Sequence, residues 1–176
     1  MKPTPIFDWT VAFLGLGLIS GSLAGALKSA GWRGQLVGWG PRAPSLEKGR
    51  ALGIIDAFSL DLDEVLSAAD MVVIGAPPKA TARLLPEVIE RATHCGSPIV
   101  TDMASIKGFI VDSLPSQYPG FVPAHPIAGS EHSGVEAAKA DLFQGREVIL
   151  TPLRESEKSA VVAVENMWMA AGARIT

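Results

Sequence analysis

Gly15-Leu16-Gly17 stands between an apolar run, Thr10 to Leu14, and a stretch with apolar residues at Ile19, Leu23, Leu27 and Ala30. The first has the length of a buried strand and the second has helical spacing, with Gly31 as a helix stop. Two glycines one residue apart at such a junction constrain the chain strongly. The first permits a tight turn and the second lets backbone approach a ligand closely. The helix that follows offers unpaired N–H groups and the positive end of its dipole to an anion. Strand, turn and helix are therefore expected in immediate succession.

The same alternation continues along the chain. Strands are expected at Gln35 to Trp39, Met71 to Ala76, Pro98 to Thr101, Gly120 to Pro123, Glu147 to Thr151 and Ala173 to Thr176, with a late helix over Glu155 to Ala171 ending at Gly172. Most of these runs are aliphatic or β-branched without polar alternation, as in strands covered on both faces. Short strands interleaved with amphipathic stretches predict one α/β domain, a doubly wound and mostly parallel sheet with helices on both faces. Pro115 to Pro119 reads as a loop, and no repeat or interdomain linker interrupts the pattern.

In that setting the glycine turn gains meaning, because a strand before and a helix after it make the dinucleotide-binding, Rossmann-type arrangement. Gly15, Leu16, Gly17, Leu18 and Ile19 are the expected cofactor contacts, with Ala76 at the end of the third expected strand and Pro77 and Pro78 just after it. The third motif position is Ser20 rather than glycine, small enough for the helix to lie close to the sheet. Packing alone is the alternative role for these glycines, and Pro77 and Pro78 also serve simply to end a strand. At the end of the second strand an NAD site carries an acid for the ribose 2′-hydroxyl. This chain has Gly40-Pro41-Arg42 there, which removes repulsion of a 2′-phosphate and brings a guanidinium near it. NADP is the expected cofactor, with NAD possible if Arg42 is only a solvated charge.

Composition removes several other classes. Fifteen Lys and Arg against eighteen Asp and Glu give a net charge of -3, so there is no electrostatic footprint for nucleic acid or an anionic membrane. No apolar stretch is long enough to span a bilayer, and Met1 to Trp9 does not resemble a signal peptide. One cysteine, Cys95, excludes an internal disulfide and a thiolate zinc site. The three histidines lack metal-pair spacing, and no metal is expected; a small-molecule substrate and a cytoplasmic location are.

The segment from Ala124 to Gly134, AHPIAGSEHSG, follows an expected strand and is read as a polar loop at the carboxyl edge of the sheet. A histidine there can hold a hydroxyl proton near neutral pH while hydride leaves the same carbon. A structural His-Pro turn is the competing reading. The run HPIAGSEHSG closely resembles a signature of the prephenate/arogenate dehydrogenase family, and GLGLISGSLA, TDMASIKG and LFQGREVILTP fall in the order that family has. The resemblance spans nearly the whole chain.

It implies oxidative decarboxylation of prephenate or arogenate in tyrosine biosynthesis. By that resemblance His125 is the catalytic histidine on the substrate hydroxyl and Ser105 helps orient that hydroxyl. Ser130 and Glu131 line the mouth of the substrate pocket. Ser105, with Thr101 and Asp102, also reads as a helix cap. The resemblance further implies a following helical domain that forms a homodimer and supplies cations for the substrate carboxylates, so this chain is expected to turn over poorly alone. The rivals are another dehydrogenase of the β-hydroxyacid or imine reductase type, disfavoured by HPIAGSE, and a non-catalytic nucleotide sensor.

Overall fold

The computed structural model describes residues 6–105, 107–112, 114, 117–129 and 132–176. Its main sheet has six strands in the order β3-β2-β1-β4-β5-β6, every neighbouring pair parallel. The strands are β1 Val11–Leu14, β2 Leu36–Trp39, β3 Ala57–Ser59, β4 Met71–Ile74, β5 Ile99–Asp102 and β6 Phe121–Val122. The helices between them are α1 Leu18–Ser29, α2 Ala43–Ala51, α3 Leu62–Ala68, α4 Pro78–Thr93 and α5 Lys107–Asp112.

The apolar runs follow from burial on both faces. Along β1, Val11 and Phe13 join a core with Leu23 and Leu27 of α1, while Ala12 and Leu14 join a second core with Val65 and Leu66 of α3 and Val88 and Ile89 of α4. Successive strand side chains point to opposite faces, so a strand covered twice has no place for a polar residue. Met71 and Val73 against Val72 and Ile74 repeat the division on β4. Each large side chain so buried contributes about 1.5–3 kcal/mol. No helix among the described residues is long and apolar enough to cross a membrane.

The last third of the chain departs from the expected single sheet. β7 Ala124–Pro126, β8 Glu147–Leu150 and β9 Arg174–Ile175 form a separate three-stranded sheet, β7 antiparallel to β8 and β8 parallel to β9. The change of sheet falls at Pro123, which lacks the N–H needed to extend a ladder. Thus the expected strand over Gly120 to Pro123 is only its middle, and the expected loop from Ala124 begins instead as a strand. α6 Lys158–Ala170 covers this region, with Trp168 fully buried edge-on against Phe143 at a centroid distance of 5.0 Å. Replacing Phe143 with Ala is expected to cost about 3–5 kcal/mol of stability. Urea unfolding with an unchanged m-value checks it, and a loss under about 1 kcal/mol would show that the aromatic pair does not hold the second sheet.

Candidate active site

The strand order reverses between β1 and β4, whose continuing helices α1 and α4 lie on opposite faces and open a crevice at the carboxyl edge. Gly15 stands at its narrowest point. Its φ is +92°, and an added Cβ would lie 3.3 Å from the carbonyl carbon of Gly75 and 3.4 Å from the N of Ala76. Glycine is therefore required twice, by conformation and by space. Gly17 differs: it precedes α1 with negative φ, and an added Cβ would meet nothing within 4 Å. The protein itself makes no demand for glycine there, and the open space is what a closely approaching phosphate group needs. Leu18, Ile19 and Ser20 open α1 with N–H groups that have no intrahelical acceptor, and no acid in the first turn offsets the dipole.

Across the crevice, Ala76 leads into α4, with Pro77 as N-cap and Pro78 as the first helical residue, where a missing N–H costs nothing. Thr81 Oγ1 donates to the Ala76 carbonyl at 2.8 Å and fixes this exit. Ser20 is buried against it, its hydroxyl unpartnered, and a Cβ on Gly75 would fall on Ser20 Oγ. The small residue that the glycine motif usually has on the helix is supplied here on the facing strand exit.

At the end of β2, Gly40 is buried with an ordinary backbone, and an added Cβ would meet Leu46 Cδ1 at 3.8 Å and the Arg42 carbonyl at 4.0 Å. Those are normal contacts, so neither Cβ space nor conformation requires glycine there. Arg42 is the exposed N-cap of α2.

Asp102, the last residue of β5, is fully buried. Its Oδ2 accepts from the N–H of Ala104 at 3.0 Å and its Oδ1 from the N–H of Ala124 at 3.2 Å. Ser105 follows the first of these amides and His125 the second. Ser105 is exposed in the bend after β5, and His125 is half-buried on β7, paired in register with Ile149. The capping role expected for Thr101 and Asp102 is replaced: Thr101 Oγ1 donates to the Val122 carbonyl at 2.6 Å, and Asp102 shapes a turn. Ser130 and Glu131 lie outside the described residues.

Further along, the chain returns to pack against α1. Val135, in the short helical turn Val135–Ala137, is buried against α1 and α2, where a Cβ on Gly21 would come 3.2 Å from its Cγ2. Ser22 Oγ accepts from the N–H of Lys139 at 2.9 Å. The sequence reading missed this anchor, although small residues at Gly21, Ser22 and Gly25 on one helix were its visible sign.

A cavity of about 780 Å³ lies at the opposite edge of the sheet, among Trp9, Asp70, Pro98, Tyr118 and Glu157. Tyr118 donates to the Pro98 carbonyl at 2.6 Å, and burial pushes its pKa up to about 12. It offers no phenolate near neutral pH, and the cavity is remote from the crevice.

Residues 23–176 match the family model described as the prephenate dehydrogenase nucleotide-binding domain. Prephenate dehydrogenase of Bacillus subtilis is 35% identical over 165 residues, covering 90% of this chain and 43% of the relative. Cyclohexadienyl dehydrogenase of Zymomonas mobilis is 30% identical over 171 residues, 94% of this chain and 56% of the relative. The chain thus spans about half the length of these relatives. Among solved structures, prephenate dehydrogenase from Aquifex aeolicus superposes with a TM-score of 0.86 at 31% identity, covering 94% of this chain and 60% of that one. A second structure of that enzyme, with a TM-score of 0.82 and 30% identity over 96% of this chain and 59% of that one, is a complex with hydroxyphenyl propionate and NAD+.

The Ser20 and Gly75 pairing can be tested directly. Gly75→Ala is expected to lower stability by about 1–3 kcal/mol, because the methyl group has no room. Adding Ser20→Gly should recover most of that loss. A double-mutant cycle in urea reads the coupling, and additive effects would remove the pairing.

Proposed function

The chain belongs to the prephenate dehydrogenase nucleotide-binding family, and from that premise we propose that it carries the cofactor seat and hydride-transfer residues of a dehydrogenase acting on prephenate or arogenate. One observation carries the reading: the Gly15 crevice, the Ser105 turn and the strand bearing His125 all follow carboxyl ends of the parallel sheet. The residues fit a dinucleotide. Gly17 leaves open space, the first turn of α1 offers unpaired amides, and Ala76 with Pro77 forms the facing wall.

A bound nicotinamide supplies the hydride acceptor. His125 takes the hydrogen bond from the ring hydroxyl and accepts its proton as the carbinol carbon gives up hydride. Ser105 orients that hydroxyl, and loss of carbon dioxide from the opposite ring carbon completes the aromatic ring. Ser130 and Glu131 border the substrate. The family resemblance assigns the anchoring of the substrate carboxylates and the dimer contacts to a following helical domain.

NADP is the proposed dinucleotide. Gly40 presents no carboxylate to a 2′-phosphate, and the exposed guanidinium of Arg42 is close in sequence to the end of β2. Titration of both dinucleotides should favour NADP, and Gly40→Asp, whose Cβ would meet only ordinary contacts, should move the preference toward NAD by about tenfold, 1.4 kcal/mol. A tenfold NAD preference in the parent protein would overturn the assignment.

Turnover of prephenate and of arogenate tests the reaction, measured on the longest natural form of the protein. His125→Asn is expected to lower kcat by about 10²–10⁴-fold while nucleotide affinity stays within about twofold. Unchanged turnover would remove His125 from the chemistry.

A further inference from the structure

A fully buried carboxylate is expensive unless its oxygens are satisfied, with an effective penalty of several kcal/mol after relaxation. Asp102 nonetheless ends a strand whose preceding residues are Ile99, Val100 and Thr101, at a place where the neighbouring β4 has Ile74. Ending a strand does not need a carboxylate. What Asp102 does, and an aliphatic residue would not, is accept from two main-chain amides, one in the turn after β5 and one in β7 of the second sheet.

The position of those amides is informative. The β5 and β6 pairing stops at Val122, Pro123 has no N–H to offer, and Ala124 has already entered the second sheet. The first amide past the change of sheet is therefore caught by Asp102 Oδ1 at 3.2 Å, while Oδ2 closes the turn at Ala104 at 3.0 Å. Each amide immediately precedes one of the two residues to which the proposed chemistry is assigned.

We propose that Asp102 is a positioning residue: its carboxylate holds the turn bearing Ser105 and the strand bearing His125 in one frame across the junction of the two sheets. The proposal rests on the roles given above to Ser105 and His125. Asp102 is enclosed, and both of these bonds act through the main chain. An amide in its place keeps one acceptor and turns an NH2 group toward the other N–H, so one side of the clamp is lost.

Thr101 provides the control. It is equally buried and ties β5 to β6 through Oγ1 to the Val122 carbonyl, before the change of sheet and outside the Ser105 turn. Thr101→Val should cost stability without moving either site residue. The experiment measures kcat, KM, nucleotide Kd and Tm for Asp102→Asn, Thr101→Val and His125→Asn in the longest natural form of the protein. Misplacing reacting groups by about 1 Å costs up to about 10²-fold in rate. Asp102→Asn is accordingly expected to lower kcat by about tenfold or more, with nucleotide Kd within about twofold. Thr101→Val, at a similar loss of Tm, should keep kcat within about twofold of the parent.

If Asp102→Asn does not accumulate as folded protein, Asp102→Ser, whose hydroxyl can accept from one amide, is read in the same way. An active Asp102 variant beside an inactive His125→Asn overturns the positioning role and leaves the proposed function standing. Equal loss of kcat in Thr101→Val and Asp102→Asn at equal Tm overturns it as well, since that is the signature of general destabilisation. Retained turnover in His125→Asn removes His125 from the chemistry, and the positioning role with it.

Discussion

The approach of Gly15 to Gly75 is the constraint on which the rest of the site depends. Two neighbouring parallel strands, β1 and β4, send their chains to opposite faces of the sheet, and the turns that do so must pass within van der Waals contact. A φ of +92° and a 3.3 Å approach for an added Cβ favour glycine at position 15, and at position 75 an added Cβ would fall on the Ser20 hydroxyl. The crevice is thus lined by backbone rather than side chains. Backbone amides at a helix N-terminus are fixed donors, so an anion bound there meets groups already in place.

Carboxylates finish the strands of this sheet at both edges, under different conditions. At the amino edge, Asp70 accepts from the N–H of Thr10 and Asp56 from that of Leu36, each at 2.8 Å, and both carboxylates retain contact with solvent or with Lys28. Partial hydration keeps the desolvation cost small there. Asp102 does comparable work at the carboxyl edge with no exposure. The cost is higher, and the return is that the amides it binds are held with less freedom than solvent-exposed partners would allow.

Much of this was legible in the sequence because the physics is local. Uniform burial of β1 and β4 makes the runs VAFL and MVVI unmistakable, and Gly15-Leu16-Gly17 marks its own turn. The pattern failed where pairing is not local. β3 has only half-buried residues and three positions, too short and too mixed to stand out. Nothing near Ala124 announces a second sheet, since β7 acquires its strand character only by pairing with residues more than twenty positions later. The sequence offers Asp102 only within the alternative helix cap of Thr101, Asp102 and Ser105; that its second oxygen binds Ala124 is a tertiary fact.

That second sheet changes how the histidine must be understood. Side chains alternate along a strand, so a one-residue slip of β7 against β8 would turn His125 to the other face. Its register with Ile149 is therefore as decisive as its identity. β8 is in turn flanked by β9, and Phe143, four residues before it, is locked edge-on to Trp168 of α6. The amide of Arg174 also reaches back to the Arg146 carbonyl at 2.8 Å. The aim of His125 is consequently set by chain far downstream, whereas Ser105 is set by β5. Two residues fixed from opposite ends of the domain need a common reference. In this fold the atoms that both supports share are the carboxylate oxygens of Asp102.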